Sequence, residues 1–541
     1  MRLPDGPAGE LFAAFSRVCA RAYGPKAGTD ALTSCPTLSK APNYGDVLRR
    51  FKARTPHVPL SPSARLRLAC FYPLNNFGHL AFLLLGRVFI ALLGWKTPKD
   101  LDDKNALVID TFALLPRLAA SGRYEEMYLP GLEAQARAAG RKPVLLFRLY
   151  GSRNPKILWK ALRVLAATGN ACTEMHLLRL SDWFALLRHV FVYPTALRRL
   201  IRELAAAPEL SAEYQIRSAL IRTAGQCVVF GEARRLTGFR LGLALRRAEE
   251  PTVFSWHENQ TINKCFVRGL RRAEAATGVH TRVAGAQLFI WPAELLNNHP
   301  DPREADLAPD LTLVNGLALL PEDPPTPYAV GPSLRYGRIF EPLPGTPAAP
   351  AALEGAPAGG KPLLALLSYH PDETRRILEL VLPYARSGNP IAYKFHPADN
   401  PTNFAHLLPA APTIVTGDLF AALAGASAVI GSGSGSLAEA CALGVPVLYP
   451  LQSAGSSEPD LNYLPGEGPD CGLGSLWTTV ASSDDIQAAC ALLAERAQEP
   501  EHPERVRRFR DLLFTKPTPE LIRESFGLRR GGAALIPPTG D

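Results

Sequence analysis

The stretch from Ala392 to Pro450 constrains this chain most. It opens Ala-Tyr-Lys-Phe-His-Pro and runs on to Ala-Val-Ile-Gly-Ser-Gly-Ser-Gly-Ser-Leu-Ala-Glu-Ala. Ile391 to Phe395 is a short apolar run stopped by Pro397, which predicts a buried strand. Side chains alternate along a strand, so Lys394 and His396 share a face. Ala428 to Ile430 predicts another strand, then comes a Gly/Ser turn, a helix from Leu437 to Leu443, and a strand from Val447 to Tyr449. A strand, a glycine turn and a helix start together offer free backbone N–H groups to an anion. The hydroxyls of Ser432, Ser434 and Ser436 stand in that turn beside Gly435, and the arrangement suits a phosphate. Ser436-Leu-Ala-Glu439 also reads as a capping box, which needs no ligand and does not exclude one. The glycine spacing matches neither the dinucleotide fingerprint nor the P-loop. His396-Pro397 and the Ser turn both fall at strand C-termini, the edge where an open α/β sheet binds ligands.

This run resembles the nucleotide-binding half of glycosyltransferases of the GT-B fold. It is similar above all to bacterial enzymes with a His-Pro motif and a later Ser-Ser/Thr motif. Those include CMP-sialic acid and CMP-Kdo transferases and CDP-glycerol glycerophosphotransferases. The resemblance implies that His396, Ser434 and Ser436 bind the donor phosphate and that Glu439 sits near the ribose. Ser434-Gly435-Ser436 departs from an adjacent Ser-Ser pair, so which hydroxyl acts stays open.

A chain of 541 residues has room for two or three domains. Its net charge of +9 favours an acidic partner: a nucleotide donor, an anionic membrane surface or nucleic acid. The sequence carries no RNA-binding fingerprint, zinc-finger spacing or long basic run, and no nucleic acid is expected. Nine scattered cysteines without a C-x-x-C read as free thiols in a reducing compartment. Met1 to Gly24 has acidic residues and no apolar core, so a cytoplasmic location is expected. His79 to Trp95 is apolar but contains Arg87 and is short for a spanning helix; a core helix and a helix in the membrane interface both fit. Asp100-Leu-Asp102 matches a D-x-D metal signature, yet it follows no strand and reads as a solvated turn.

From Leu107 strands and helices alternate. Leu107 to Ala113, Val144 to Tyr150, Cys227 to Phe230, Thr252 to Trp256, Val283 to Phe289 and Leu311 to Val314 read as strands. Between Arg141 and Glu203 there are twelve Lys/Arg against three Asp/Glu. Within that span Met175 to Leu204 mixes aromatic and basic residues, which fits a helix pair on anionic lipid or a solvated face over a plain core. The segment Phe254-Ser-Trp-His-Glu-Asn-Gln places His257, Glu258, Asn259 and Gln260 at a strand's C-terminal edge, before a helix from Asn263 to Ala276. Four polar groups there suit acid/base work, with Glu258 or else His257 as the base. Capping of the helix by Asn259 or Thr261 is the plainer alternative. With Gly285-Ala-Gln287, Pro309-Asp310 and Gly331-Pro-Ser-Leu-Arg-Tyr336, the segment also resembles bacterial surface-carbohydrate (O-antigen or capsule type) biosynthesis proteins.

The expected architecture is α/β and GT-B-like: two doubly wound Rossmann-like domains facing a cleft, after a helical N-terminal segment. The boundaries expected are residues 1–100 for that segment, 101–340 for an acceptor-side domain, 341–361 for a Pro/Ala/Gly linker, 362–515 for a donor-side domain and 516–541 for a C-terminal helix with a disordered tail. The donor side would be Lys394, His396, Ser432, Ser434, Gly435, Ser436 and Glu439, with Asn259, Gln260 and His370 as further cleft residues. The resemblance implies a cytidine nucleotide-sugar substrate, a lipid-linked or polysaccharide acceptor, no cofactor and no metal. A CDP-alcohol phosphotransferase, a non-hydrolytic epimerase and a catalytically silent membrane-associated scaffold remain alternatives on the same fold.

Overall fold

The structure is a computed structural model, and it describes residues 6–22, 51, 62–204, 208, 211–216, 228–291, 298–300, 307–341, 361–368, 371–396, 400–431, 435–451 and 476–528. His370, Ser432, Ser434, the interior of the expected linker and the tail after Leu528 lie outside these residues.

Seven parallel strands form the first sheet: β1 (Ala106–Leu114), β2 (Lys142–Tyr150), β3 (Ala171–Thr173), β4 (Thr252–Trp256), β5 (Arg282–Gln287), β6 (Leu311–Val314) and β7 (Tyr328–Val330), in the order β3-β2-β1-β4-β5-β6-β7. Six form the second: β8 (Leu363–Leu366), β9 (Ile391–Lys394), β10 (Thr413–Ile414), β11 (Ala428–Gly431), β12 (Val447–Pro450) and β13 (Trp477–Val480), in the order β10-β9-β8-β11-β12-β13. Strands such as Thr252–Trp256 and Leu363–Leu366 are buried throughout, as a parallel sheet covered on both faces requires. The expected pair of doubly wound sheets is present. Each sheet is laid out from its first strand to one side and then to the other. The order therefore reverses between β1 and β4 and again between β8 and β11. Ligand crevices form at such switch points. Glu258 follows β4, and the helix that starts at Gly435 follows β11.

One expected strand is a helix. Of the run Cys227 to Phe230, Val228 to Phe230 open α4 (Val228–Leu245), numbered after α1 (Pro7–Ala22), α2 (Pro62–Leu92) and α3 (Leu180–Leu204), and Cys227 lies outside the described residues. The apolar run continues at helical spacing through Val229, Ala233, Leu236 and Leu245, all buried, and a four-residue run cannot reveal that period. Its partner is α5 (Thr261–Thr277). A Cβ on Gly238 would stand 2.2 Å from Phe266 O, and one on Gly269 only 2.1 Å from Arg235 O, so glycine alone allows this approach.

Core and tail tie the two units together. Ile290, Trp291, Tyr336 and Ile339 of the first unit share a hydrophobic cluster with Leu364, Leu437 and Tyr449 of the second. Beyond α6 (Gly435–Ala442) and α7 (His502–Leu513), the backbone crosses back where Ser333 N donates to Thr515 O at 2.9 Å. Helix α8 (Pro519–Ser525) then lies on the first unit: Phe526 meets Phe254 at 4.9 Å between centroids and Arg523 donates to Gln135.

Helix α2 divides between the two expected readings. Its inner face, with Leu80, Phe82, Leu83 and Ile90, belongs to the first core. Its outer face shows Leu74, Leu84, Val88 and Leu92 to solvent, and α3 adds Leu180, Phe184 and Phe191, each of the last three at least 65% exposed. Phe77 and Phe191 touch edge to face, so the two stripes are continuous. Asp100 to Asp102 forms a short 3-10 turn in which Asp100 accepts from Asn170 and Leu101 is buried.

Candidate functional site

At the end of β4 the chain makes a tight reversal. His257 N still pairs with Ala286 O at 3.0 Å, and then Asn259 takes a left-handed φ of +50°. Few non-glycine residues adopt that conformation, and when they do it marks a constrained site. Asn263 fixes the reversal: its Oδ1 accepts from Gln260 N at 3.1 Å and its Nδ2 donates to Trp256 O at 3.0 Å. Gln260, not Asn259 or Thr261, stands at the N-cap of α5. Glu258 and Gln260 are thereby turned into a cavity of about 580 Å³ in the first unit.

Both carboxylate oxygens of Glu258 are held. Trp256 Nε1 donates to Oε1 at 2.8 Å and Gln260 Nε2 to Oε2 at 2.5 Å. Tyr128 and Tyr150 join hydroxyls in the cavity wall at 2.5 Å. Burial, and then that bond, raise the Tyr128 hydroxyl well above the usual phenol range, so it stays protonated. His257 is placed otherwise. It is 2% exposed and does not line the cavity, and its ring lies where a Cβ on Gly285 would approach to 3.1 Å. Burial, then the charges of Lys264 and Arg148, push its imidazole down to about 3, so it is neutral in the working pH range. Asn259 Nδ2 donates to His299 O at 3.5 Å, and the residue lies outside the cavity lining.

In the second unit Lys394 closes β9, and its Nζ donates to Gly417 O at 2.7 Å. Burial lowers its ammonium pKa, against the opposing pull of Asp418. His396 is exposed two residues further on. Helix α6 begins at Gly435, which puts Ser436 inside the first turn; the expected capping box of Ser436 and Glu439 does not fit that register. Glu439 is half-buried one turn in. Burial pushes its carboxyl up to about 7, against the lowering effect of Arg335.

The two edges meet. A Cβ on Gly435 would point at Ile290 Cβ, 3.9 Å away, and Ile290 N donates to Tyr336 Oη at 3.3 Å. Arg335 is exposed between them. Its guanidinium lies 5.9 Å from the Tyr128 ring centroid, and its charge acts on both Tyr128 and Glu439. Arg335 belongs to the Gly331-Pro-Ser-Leu-Arg-Tyr336 segment, but the sequence reading gave it no role. Among the described residues no group of His, Cys, Asp and Glu is placed to hold a metal ion.

No protein-family model matches the chain, and no curated protein matches it. Among solved structures, the chain is similar to the glycosyltransferase VinC in complex with dTDP, with 13% identity over 78% of this chain and 99% of that one and a TM-score of 0.41. It is also similar to CalG4, the calicheamicin glycosyltransferase, with 14% identity over 78% and 98% and a TM-score of 0.40. The UDP-GlcNAc 2-epimerase of Neisseria meningitidis bound to UDP-GlcNAc aligns at 10% identity over 78% and 98%, with a TM-score of 0.39.

Proposed function

We propose that this chain is a GT-B glycosyltransferase that moves a sugar from a cytidine-nucleotide donor on the second unit to a surface-polysaccharide acceptor in the cavity of the first. One observation carries the reading. A held carboxylate after β4 and a Gly/Ser helix start after β11 stand at two switch points whose edges meet across Arg335. In this mechanism Glu258 takes the proton of the acceptor hydroxyl as its oxygen bonds the anomeric carbon. The bond from that carbon to the donor phosphate breaks, and the electron pair leaves with the nucleotide. Positive charge and backbone donors stabilise such a leaving group. His396, Ser436, the first turn of α6 and Arg335 are the groups available. The cytidine base rests on the resemblance of His396-Pro397 and the Ser turn.

A thermal-shift screen tests this directly. CMP or CDP should stabilise the protein at micromolar levels while UDP, dTDP, GDP and ADP stay inert. Stabilisation by dTDP or UDP alone would replace the base, and stabilisation by none would remove the transferase reading. In calorimetry His396→Ala should weaken CMP at least about tenfold, the lower end of what a charged hydrogen bond of ~1.5–3 kcal/mol provides. Unchanged affinity would take His396 out of the site.

Glu439 makes the same site pH-dependent. A ribose hydroxyl donates to a carboxylate, so the ionised form binds the nucleotide. With its carboxyl pushed up to about 7, affinity should rise as pH increases from about 6 to about 8 and then level off. A CMP-sugar is the right probe, because its phosphodiester does not titrate there. Glu439→Gln should flatten the profile; a slope unchanged in that variant assigns it elsewhere.

The acceptor reading extends to a lipid surface. From Leu74 to Leu92 there is no acidic residue, and the one acid between Leu180 and Val192, Asp182, is buried against Arg240. Arg87, Arg179 and Arg188 are exposed beside the apolar stripes. That combination suits peripheral attachment to an anionic membrane. Protein should float with anionic liposomes at low salt and lose most of that binding at high salt. Failure to bind both neutral and anionic vesicles at low salt assigns the stripes another role.

A further inference from the structure

Arg148 is the charged group beside Glu258 that the proposed reaction does not use. It lies on β2, is 4% exposed and lines the same cavity. Its Nη2 donates to Trp256 O at 2.7 Å and to Asp110 O at 3.3 Å. Its Nε faces Asp110 Oδ1 at 3.3 Å without hydrogen-bond geometry, and its Nη1 has no hydrogen-bond partner among the described residues. The acids around it are shared with Arg234. Arg234 takes Asp110 Oδ2 at 2.7 Å and Glu174 Oε1 at 3.1 Å, and Ser255 Oγ also donates to Asp110 Oδ2. Phe112 covers the guanidinium face at 4.0 Å, which leaves the edge N–H unmet.

A guanidinium has five donors, and buried donors in folded proteins are nearly always paired. An enclosed cation that lines a cavity and keeps an unpaired donor points to an anionic oxygen arriving from that cavity. The lining includes the apolar rings of Phe82, Phe112 and Phe230. Arg153 adds a second cation at the lining, held by Asn75 Oδ1 at 3.0 Å and by His79. Burial lowers Arg148 to about 10, so it keeps its charge at neutral pH. Resting on the reading of Glu258 as base to an acceptor, we infer that this cavity takes an amphiphilic acceptor bearing a carboxylate or phosphate, which Arg148 receives while the apolar body lies along Phe82, Phe112 and Phe230.

Calorimetry on the full chain with octyl phosphate, octanoate, octyl glucoside and inorganic phosphate, each below its micelle concentration, tests this. At least one anionic amphiphile should bind about tenfold or more tightly than octyl glucoside, and inorganic phosphate should be weaker than octyl phosphate. The two anionic arms separate a phosphate from a carboxylate. Arg148→Met should abolish the preference; if that variant does not fold, the wild-type panel decides alone. Equal binding of neutral and charged amphiphiles, or an undiminished preference in a folded Arg148→Met, overturns the inference. Inorganic phosphate binding as tightly as octyl phosphate overturns its apolar half. CMP titrated into the same samples reports the second unit. Nucleotide binding without amphiphile preference sinks the subsite and keeps the transferase reading, and the reverse keeps the subsite and sinks that reading.

Discussion

Glu258→Gln is expected to lower turnover by about 10²–10⁴-fold, the usual contribution of a positioned general base. The structure makes this substitution a clean one. Glutamine keeps an oxygen for Trp256 Nε1, the donor at 2.8 Å. Its new amide meets Gln260, whose own amide can turn and offer oxygen in place of Nε2. The loss should therefore fall on proton transfer and not on folding. Donor affinity should stay near wild type, because the Gly/Ser turn and His396 belong to the other unit. His257 is no substitute base: with an imidazole pushed down to about 3 it takes a proton poorly at neutral pH, and it does not line the cavity. If turnover with saturating donor and acceptor stays within about threefold of wild type, Glu258 only shapes the turn.

How much of this was legible in the sequence follows from the kind of signal each feature leaves. Long apolar runs between glycines and prolines declared the strands, because both faces of a parallel sheet are buried. An Asp ahead of a short apolar run is a local cap signal as well: Asp418 precedes the helix Leu419–Ala424, and its carboxylate accepts from Ala421 N. Cys227 to Phe230 was misread because four apolar residues carry no period, and the small residues that decide its packing, Gly238 and Gly269, come later. The charges inside the first sheet are a different case. Asp110 and Arg148 each interrupt an apolar run, and that interruption was the available signal. Only the register, with Asp110 opposite Leu146 and Phe112 opposite Arg148, makes them diagonal neighbours on one face. Arg335 left no local trace, because its meaning depends on Tyr128 and Glu439, both distant in sequence.

Arg234→Met should cost stability most, by about 3–5 kcal/mol, because it leaves the buried Glu174 carboxylate without its paired cation and takes from Asp110 one of its two. Asp110 is fully buried and Glu174 nearly so; Glu174 pairs with this guanidinium at 3.1 Å, while Asp110 shares it at 2.7 Å with Arg148 at 3.3 Å. Methionine preserves most of the volume against Phe266, whose ring lies 4.1 Å from the Arg234 Cζ. The deficit is therefore electrostatic, and its pH dependence has a definite sign. Burial already raises Glu174 above the usual carboxylate range, with Arg234 opposing. Once the cation is removed, the folded-state pKa of Glu174 rises further above its unfolded value of about 4. The folded variant then binds protons that the unfolded chain releases, so its stability falls as pH rises from about 4 through the new folded pKa value. The gap to wild type should be widest near pH 8 and narrow towards pH 5 in urea titrations. Glu174→Gln combined with Arg234→Met should recover part of the loss at pH 8, since the uncompensated charge is gone. A deficit of the same size at both pH values would mean that lost packing, not the stranded carboxylate, accounts for it.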